Sequence, residues 1–149
     1  MPRIAPELLD TGRYPFVHEV ATRFADVDPN WHINNVAMAA AFEDARARFM
    51  RSIGVHDALN GMRILIVSAH YEYLAEAHYP QPIVVHVGVV GRGRTSWTVG
   101  QVAVQAGQAC GYCQATFVAL DDAGPAVPHA PIRDALDANI IRPSAGLVP

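Results

Sequence analysis

The stretch "RFADVDPNWHINNVAMAAAFEDARARFMRSIG", residues 23–54, joins a polar loop to a long amphipathic segment. The apolar side chains of this segment recur every three or four positions, which predicts a helix with one buried face. They are Met38, Phe42, Ala45, Phe49 and Ile53. Asn34 or Asn35 offers the N-cap, because a short polar side chain accepts a hydrogen bond from a free backbone N–H. Gly54 is a natural end for the helix.

On both sides of this helix the apolar period changes to two, which is typical of strands. One such run, "RYPFVHEVATRF", precedes the loop, and four follow the helix: "MRILIVSAHYEYLAEA", "PIVVHVGVVGRGR", "TSWTVGQVAVQA" and "QACGYCQATFVALDD". One long helix and five strands predict an α+β fold, in which a five-stranded antiparallel sheet wraps around the helix. The small residues of "AMAAA", 37–41, would let the sheet approach the helix closely.

The runs define a single domain over residues 16–135. We expect residues 1–15 to form an N-terminal extension and residues 136–149 a flexible C-terminal tail, with a short helix over "PIRDALDA" at the junction. With 149 residues, of which 51% are hydrophobic, the chain is long and apolar enough to bury a core.

Composition and motifs argue against several functions. A net charge of −3 argues against a nucleic-acid partner. No apolar run suits a signal peptide or a transmembrane helix, so we expect a cytoplasmic protein with no membrane partner. The histidines lack metal-ligand spacing, and the cysteines of "CGYC" are interpreted as reduced thiols, so no metal site is predicted. The Gly-x-Ser-x-Gly motif of serine hydrolases is absent.

A motif in the opening stretch resembles the hotdog-fold acyl-CoA thioesterases of the 4-hydroxybenzoyl-CoA thioesterase type. It consists of Arg23, Phe24, Asp28, His32, Ile33, Asn34 and Asn35, continued on the helix by Phe42, Glu43, Ala45 and Arg46. The resemblance implies the hotdog fold and hydrolysis of an acyl-CoA or acyl-carrier-protein thioester. It implies no cofactor other than coenzyme A as part of the substrate. It also implies a homodimer or homotetramer whose sheets join edge to edge, with the active site at that interface.

Asp28 matches the catalytic carboxylate of this family, as a nucleophile or as a general base on water. The free N–H of Asn35, at the positive end of the helix dipole, would hold the thioester oxygen. The alternative for Asp28 is an Asx-turn with Pro29 and Asn30. His32 would hydrogen-bond Asp28, orient the loop or contact the substrate, and a structural histidine is the alternative. Asp26 is expected to form a turn or to face solvent.

Trp31, Asn34 and Met38 are candidates for binding the substrate, although capping the helix is the favoured role of Asn34. Trp31 stands where the family usually has glycine, and we expect it to line or narrow the pocket. Met38 lies among alanines where relatives often have aromatic residues, which predicts an open apolar pocket.

The hairpin "GRGRTSW" is expected to bind the phosphates of coenzyme A through Arg92, Arg94 and Ser96, and a solvated hairpin is the alternative. On the helix, Glu43 is a second candidate carboxylate, but an ion pair with Arg46 is the favoured interpretation.

Two other functions remain open from the sequence. "DVDPNWH" weakly resembles the signature of hotdog enoyl-CoA hydratases, but its Asp-to-His spacing differs by one residue. A non-catalytic module that binds acyl thioesters is the other alternative, and Trp31 keeps it open. The sequence does not identify the acyl group.

Overall fold

The computed structural model describes residues 4–143. The strands are β1 (Phe16–Val20), β2 (Arg63–Tyr73), β3 (Ile83–Arg92), β4 (Ser96–Gln105), β5 (Gln108–Asp121) and the short β6 (Gly124–Pro125). The helices are α1 (Asn35–Ser52) and α2 (Ala130–Asp137). Short 3₁₀ turns occupy Pro6–Leu9, Thr11–Arg13 and Phe24–Asp26.

The strands form one antiparallel sheet in the order β1-β3-β4-β5-β2, and the two-residue β6 adds to β5. Helix α1 packs against one face of it, over β1, β3 and β4. The space between α1 and the edge strand β2 therefore stays more open. The predicted α+β fold, a curled antiparallel sheet with one long helix, is confirmed.

The predicted apolar stripe of α1 forms the core, and only Ile53 at its end is partly exposed. A Cβ added to Gly111 of β5 would lie 3.1 Å from Phe42 Cζ, so the absence of a side chain on the sheet permits the close approach. The stretch 37–41 contributes less than expected, because only Met38 and Ala41 of it are buried.

Both ends of α1 follow the sequence signals. The Asn34 side chain is the N-cap and accepts a hydrogen bond from the Ala37 N–H at 2.8 Å. Gly54 ends the helix with φ of 85°, a left-handed conformation that glycine adopts without steric cost.

The chain ends cover the other face of the sheet. Tyr14 from the N-terminal segment and Ile141 from the C-terminal segment pack there against Val102 and Tyr112. The flexible tail predicted from residue 136 is therefore wrong as far as Arg142: Leu136 is fully buried, and the Ile141 N–H donates to the Val89 carbonyl at 2.9 Å. Residues 144–149 lie outside the described part of the chain.

Among residues 4–143, no helix is both long enough and apolar enough to cross a membrane.

Candidate active site

Asp28 is held by a tight turn in the loop before α1. Its Oδ1 accepts hydrogen bonds from the backbone N–H groups of Asn30, at 2.8 Å, and His32, at 3.2 Å. The Asx-turn proposed as an alternative to catalysis is thus present. It leaves Oδ2 without a hydrogen-bond donor from residues 4–143, so the turn orients the carboxylate while one oxygen remains available.

The first turn of α1 supplies free amide groups beside this carboxylate. The Ala37 N–H is bound by the Asn34 side chain, but the N–H groups of Asn35 and Val36 have no acceptor within the described chain. They lie at the positive end of the helix dipole, where a developing negative charge is stabilised. An oxyanion could therefore be held here without moving the backbone.

The carboxylate and the helix start open into one cleft of about 410 Å³, which we call the Asp28 cleft. Asp28, His32, Asn35 and Met38 line one side of it. The segment Tyr73–Ala77 at the end of β2, together with Cys110, lines the other. The structure thus brings together the three residues predicted to be catalytic and one of those predicted to bind substrate.

Glu76 and His78 lie near the cleft and were not predicted as site residues from the sequence. The His32 ring points to Glu76, with Nε2 3.1 Å from Oε2, and the His78 Nε2 lies 3.8 Å from the same oxygen. Contact between His32 and Asp28 is made through the backbone instead. In the sequence, Glu76 continues the alternation of β2, but the strand ends at Tyr73 and the following segment crosses the cleft.

The cysteine in the cleft is a poor nucleophile. Cys110 is buried, and burial raises the pKa of its thiol to about 11, so it is protonated near neutral pH. Cys113 is also buried and reduced. Both cysteines of "CGYC" are thus free in the structure. Within residues 4–143, no group of three or more His, Cys, Asp or Glu side chains is placed to hold a metal ion.

The other acidic residue of the loop is engaged elsewhere. Asp26 forms an ion pair with Arg23 at 2.8 Å, and hydrogen bonding to this guanidinium holds the pKa of Asp26 below its ordinary value. Its carboxylate also accepts from the Arg23 N–H, as expected for a turn-forming residue. It does not line the Asp28 cleft.

Two of the residues predicted to contact the substrate, Asn34 and Trp31, do not line the Asp28 cleft. Both ends of the Asn34 carboxamide make a hydrogen bond at 2.8 Å, with the Ala37 N–H and with the Asp26 carbonyl, so Asn34 has the capping role given as the alternative. Trp31 is 74% exposed on the outer side of the loop, where it borders a separate surface cavity with Asp28. Its φ of 64° explains why glycine suits this position.

The β3–β4 hairpin lies far from the cleft of its own chain. Ser96 pairs with Val118 of β5, whereas the cleft borders Cys110. Eight strand residues separate these levels by about 27 Å. The structure therefore does not bring Arg92, Arg94 and Ser96 to Asp28 within one chain.

The two arginines of this hairpin also differ from each other. Arg92 makes a two-pronged ion pair with Asp137 of α2, at 2.6 and 2.9 Å, which lowers the pKa of Asp137. Arg94 is exposed and has no ion pair with any described residue. Arg94 is thus the arginine available for an external phosphate.

A second cavity, of about 220 Å³, lies between α1 and the first half of β2. We call it the Arg46 cavity. The predicted Glu43–Arg46 ion pair is absent, although Asp44 and Arg48 on the same helix pair at 3.0 Å. Arg46 is only 5% exposed, and its Nη1 has no hydrogen-bond partner among the described residues.

Comparison with known proteins gave consistent results. The family described as the thioesterase-like superfamily matches residues 22–140. A thioesterase from Thermus thermophilus, solved with coenzyme A and zinc, is 27% identical, with a TM-score of 0.77, over 88% of this chain and 98% of that one. A Pseudomonas aeruginosa protein is 26% identical, with a TM-score of 0.78, over 91% and 96%.

More distant structures share the fold alone. A 1,4-dihydroxy-2-naphthoyl-CoA thioesterase from Synechocystis is 16% identical, with a TM-score of 0.71, over 82% of this chain and 95% of that one. No curated protein sequence matches the chain.

Proposed function

The chain belongs to the thioesterase-like superfamily and is a thioester hydrolase, and we propose that it hydrolyses an acyl-CoA at the Asp28 cleft, giving the free acid and coenzyme A. The family match favours hydrolysis over hydration of an enoyl-CoA and over a non-catalytic module. One observation carries the assignment to this cleft: Asp28, with one oxygen free of hydrogen-bond donors, and Asn35, with a free backbone amide, border the same cleft.

In the proposed reaction, the amides of Asn35 and Val36 bind the thioester oxygen as it gains negative charge. Asp28 Oδ2 either attacks the carbonyl carbon or takes a proton from an attacking water. The first route expels the thiolate and leaves a mixed anhydride, which water hydrolyses. The second route leads directly to the acid and the thiol. His32, held by Glu76, keeps the loop in place through its backbone N–H.

Release of free thiol from a panel of acyl-CoA substrates tests this assignment. Asp28→Asn should lower kcat by about 10²–10⁴-fold. An asparagine oxygen can accept the same two backbone hydrogen bonds, so the turn should persist. Asp26→Asn, in the same loop, is the control and should retain most activity. Equal losses in both variants, or full activity of Asp28→Asn, would remove Asp28 from the reaction.

We further propose that two copies pair through β2. Ten of its eleven residues pair with β5, all on one side, and its exposed side chains include Leu65, Ile66 and Val67, of which Val67 lies at a bulge. A long apolar edge strand readily pairs with another edge. Antiparallel pairing of two identical strands about Ser68, the middle of β2, would join the sheets symmetrically.

This pairing would also unite the separated parts of the site. Ser96 of the hairpin and Leu65 of β2 both lie at the level of Val118, whereas the Asp28 cleft lies beyond Tyr73. In antiparallel pairing centred on Ser68, Leu65 of one copy lies opposite Tyr71 of the other. The hairpin of one copy, with Arg94, would then approach the cleft of its partner and could bind the phosphates of coenzyme A.

Light scattering coupled to size-exclusion chromatography tests the dimer. The double substitution Leu65→Lys and Val67→Lys places like charges along the β2 edge and should yield monomers with little activity. Val17→Lys, on the other exposed edge strand, is the control and should leave the dimer intact. Wild-type monomers with full activity would contradict the proposal. A tetramer, a carrier-protein substrate and a cytoplasmic location stay predictions.

A further inference from the structure

The Arg46 cavity combines apolar walls with one buried cation. Ile64 and Ile66 of β2, with Phe117 of β5, line the sheet side. Glu43, Arg46, Ala47 and Met50 line the helix side, and His56, which follows the helix, also borders the cavity. At the roughly 30 Å³ that a molecule occupies in liquid water, about 220 Å³ holds about seven non-hydrogen atoms. The cavity therefore suits a short apolar group that ends in a polar one.

Arg46 lacks the partner that a buried guanidinium requires. A guanidinium stays charged at all ordinary pH values, and a buried unpaired charge is strongly unfavourable. Glu43, one turn away, borders the cavity but is exposed and forms no ion pair with it. Arg46 does influence the thiol of Cys113, but burial dominates there and raises the pKa of that thiol to about 11. Nη1 itself is shielded from solvent, so an acceptor from outside the chain would pair with Nε and Nη2, which also lack a hydrogen-bond partner among the described residues.

The position of the cavity links it to the reaction. Ile64 and Ile66 lie in the first half of β2, whereas the Asp28 cleft lies beyond its last residue, Tyr73. Antiparallel pairing about Ser68 sets the first half of one β2 beside the last half of the other. The Arg46 cavity of one copy would then adjoin the Asp28 cleft of its partner.

We propose that the Arg46 cavity receives the far end of the acyl group and that Arg46 selects a carboxylate there, so that the preferred substrates are ω-carboxyacyl-CoA thioesters. This proposal rests on the proposed thioesterase function and on the β2 dimer. A carboxylate matches the two-pronged donor geometry of a guanidinium, and the methylene chain packs against Ile64, Ile66 and Phe117.

Two thioesters that differ only at the far end test the selection. Wild type should hydrolyse adipoyl-CoA with a kcat/KM about tenfold or more above that of hexanoyl-CoA, and Arg46→Met should lower the adipoyl value about 10–100-fold more than the hexanoyl value. Arg48→Met, on the exposed side of the same helix, is the control and should keep the wild-type ratio. A preference of wild type for hexanoyl-CoA, or equal losses in Arg46→Met, would overturn the proposal.

Further measurements separate this proposal from folding and from the proposed function. Should Arg46→Met fail to fold, Glu43→Gln removes the negative charge at the rim and should raise the adipoyl preference; a fall would count against the site. Should wild type hydrolyse no acyl-CoA, the thioesterase assignment fails by itself. Calorimetry then decides the anion site: hexanoate should bind wild type more tightly than hexanamide does, and no such difference would overturn it.

A mixed dimer tests whether the cavity serves the partner's cleft. Asp28→Asn and Arg46→Met chains, co-expressed with different tags, form a heterodimer that contains one intact composite site. Its activity on adipoyl-CoA should recover to about half of wild type, because one of two symmetric sites is complete. If both residues served the same chain's site, neither site would be intact, and the absence of recovery would refute the composite arrangement.

Discussion

Trp31 is a point of backbone strain beside the proposed catalytic carboxylate. Its φ of 64° lies in the left-handed region, which costs a residue with a Cβ about 1–2 kcal/mol. Glycine removes this cost, but it adds about 0.4–1 kcal/mol of unfolded-chain entropy. We therefore expect Trp31→Gly to raise the free energy of unfolding by roughly 0.5–1 kcal/mol. The indole is mostly exposed, so its removal loses little buried surface.

For a chain of 149 residues, this gain corresponds to a Tm increase of about 1–4 °C. Thermal unfolding followed by circular dichroism measures it. Trp31→Ala is the matched control, because alanine also removes the indole but keeps the Cβ and its strain; its Tm should not rise. Equal melting temperatures for the two variants, or a lower one for Trp31→Gly, would show that strain at this position is not what the substitution changes.

Three further predictions follow from particular contacts. Arg94→Ala should raise KM for an acyl-CoA but not for a truncated thioester that lacks the nucleotide, whereas Arg92→Ala should mainly lower Tm through loss of its ion pair; equal KM effects would contradict this. Burial lowers the pKa of His86, so the unfolded chain takes up a proton first below about pH 6.5. Stability should thus fall as the pH drops through about 6.5, and less so in His86→Gln, as urea unfolding would measure. Gly111→Val should cost about 1–3 kcal/mol by overpacking against Phe42, and an unchanged urea midpoint would refute that contact.

The parts of the fold that sequence predicted well are those in which local chemistry and packing agree. The α1 stripe, the Asn34 cap and the Gly54 stop each depend on neighbours within a few residues. The strand runs were equally clear, because they alternate and end at turn residues. The C-terminal segment was misjudged, since the burial of Ile141 depends on a surface made by distant strands.

The sequence could not place those candidate site residues whose positions depend on distances across the sheet. Arg92 and Ser96 look suited to phosphate in sequence, but the level of Ser96 lies about 27 Å along β5 from Cys110, which borders the Asp28 cleft, and Arg92 is paired with Asp137. The spacing of Glu43 and Arg46 permits an ion pair on one helix face. In the structure, however, the Arg46 side chain is buried and that of Glu43 is exposed. Spacing along a helix shows which ion pairs can form. Whether one of the two side chains is buried elsewhere decides which of them do form.

The Asp28 cleft and the Arg46 cavity are separated within one chain for a simple geometric reason. In this chain, β2 is both the strand that leads into the Asp28 cleft and the wall of the Arg46 cavity, and these lie at its opposite ends. A single copy cannot use both for one small substrate. A two-fold axis through the middle of the strand reverses its direction, so it places one end of each copy beside the other end of its partner. The pairing that would cover the exposed apolar edge of β2 would therefore also complete two equivalent sites, and a substitution that breaks the edge should abolish activity without touching a catalytic residue.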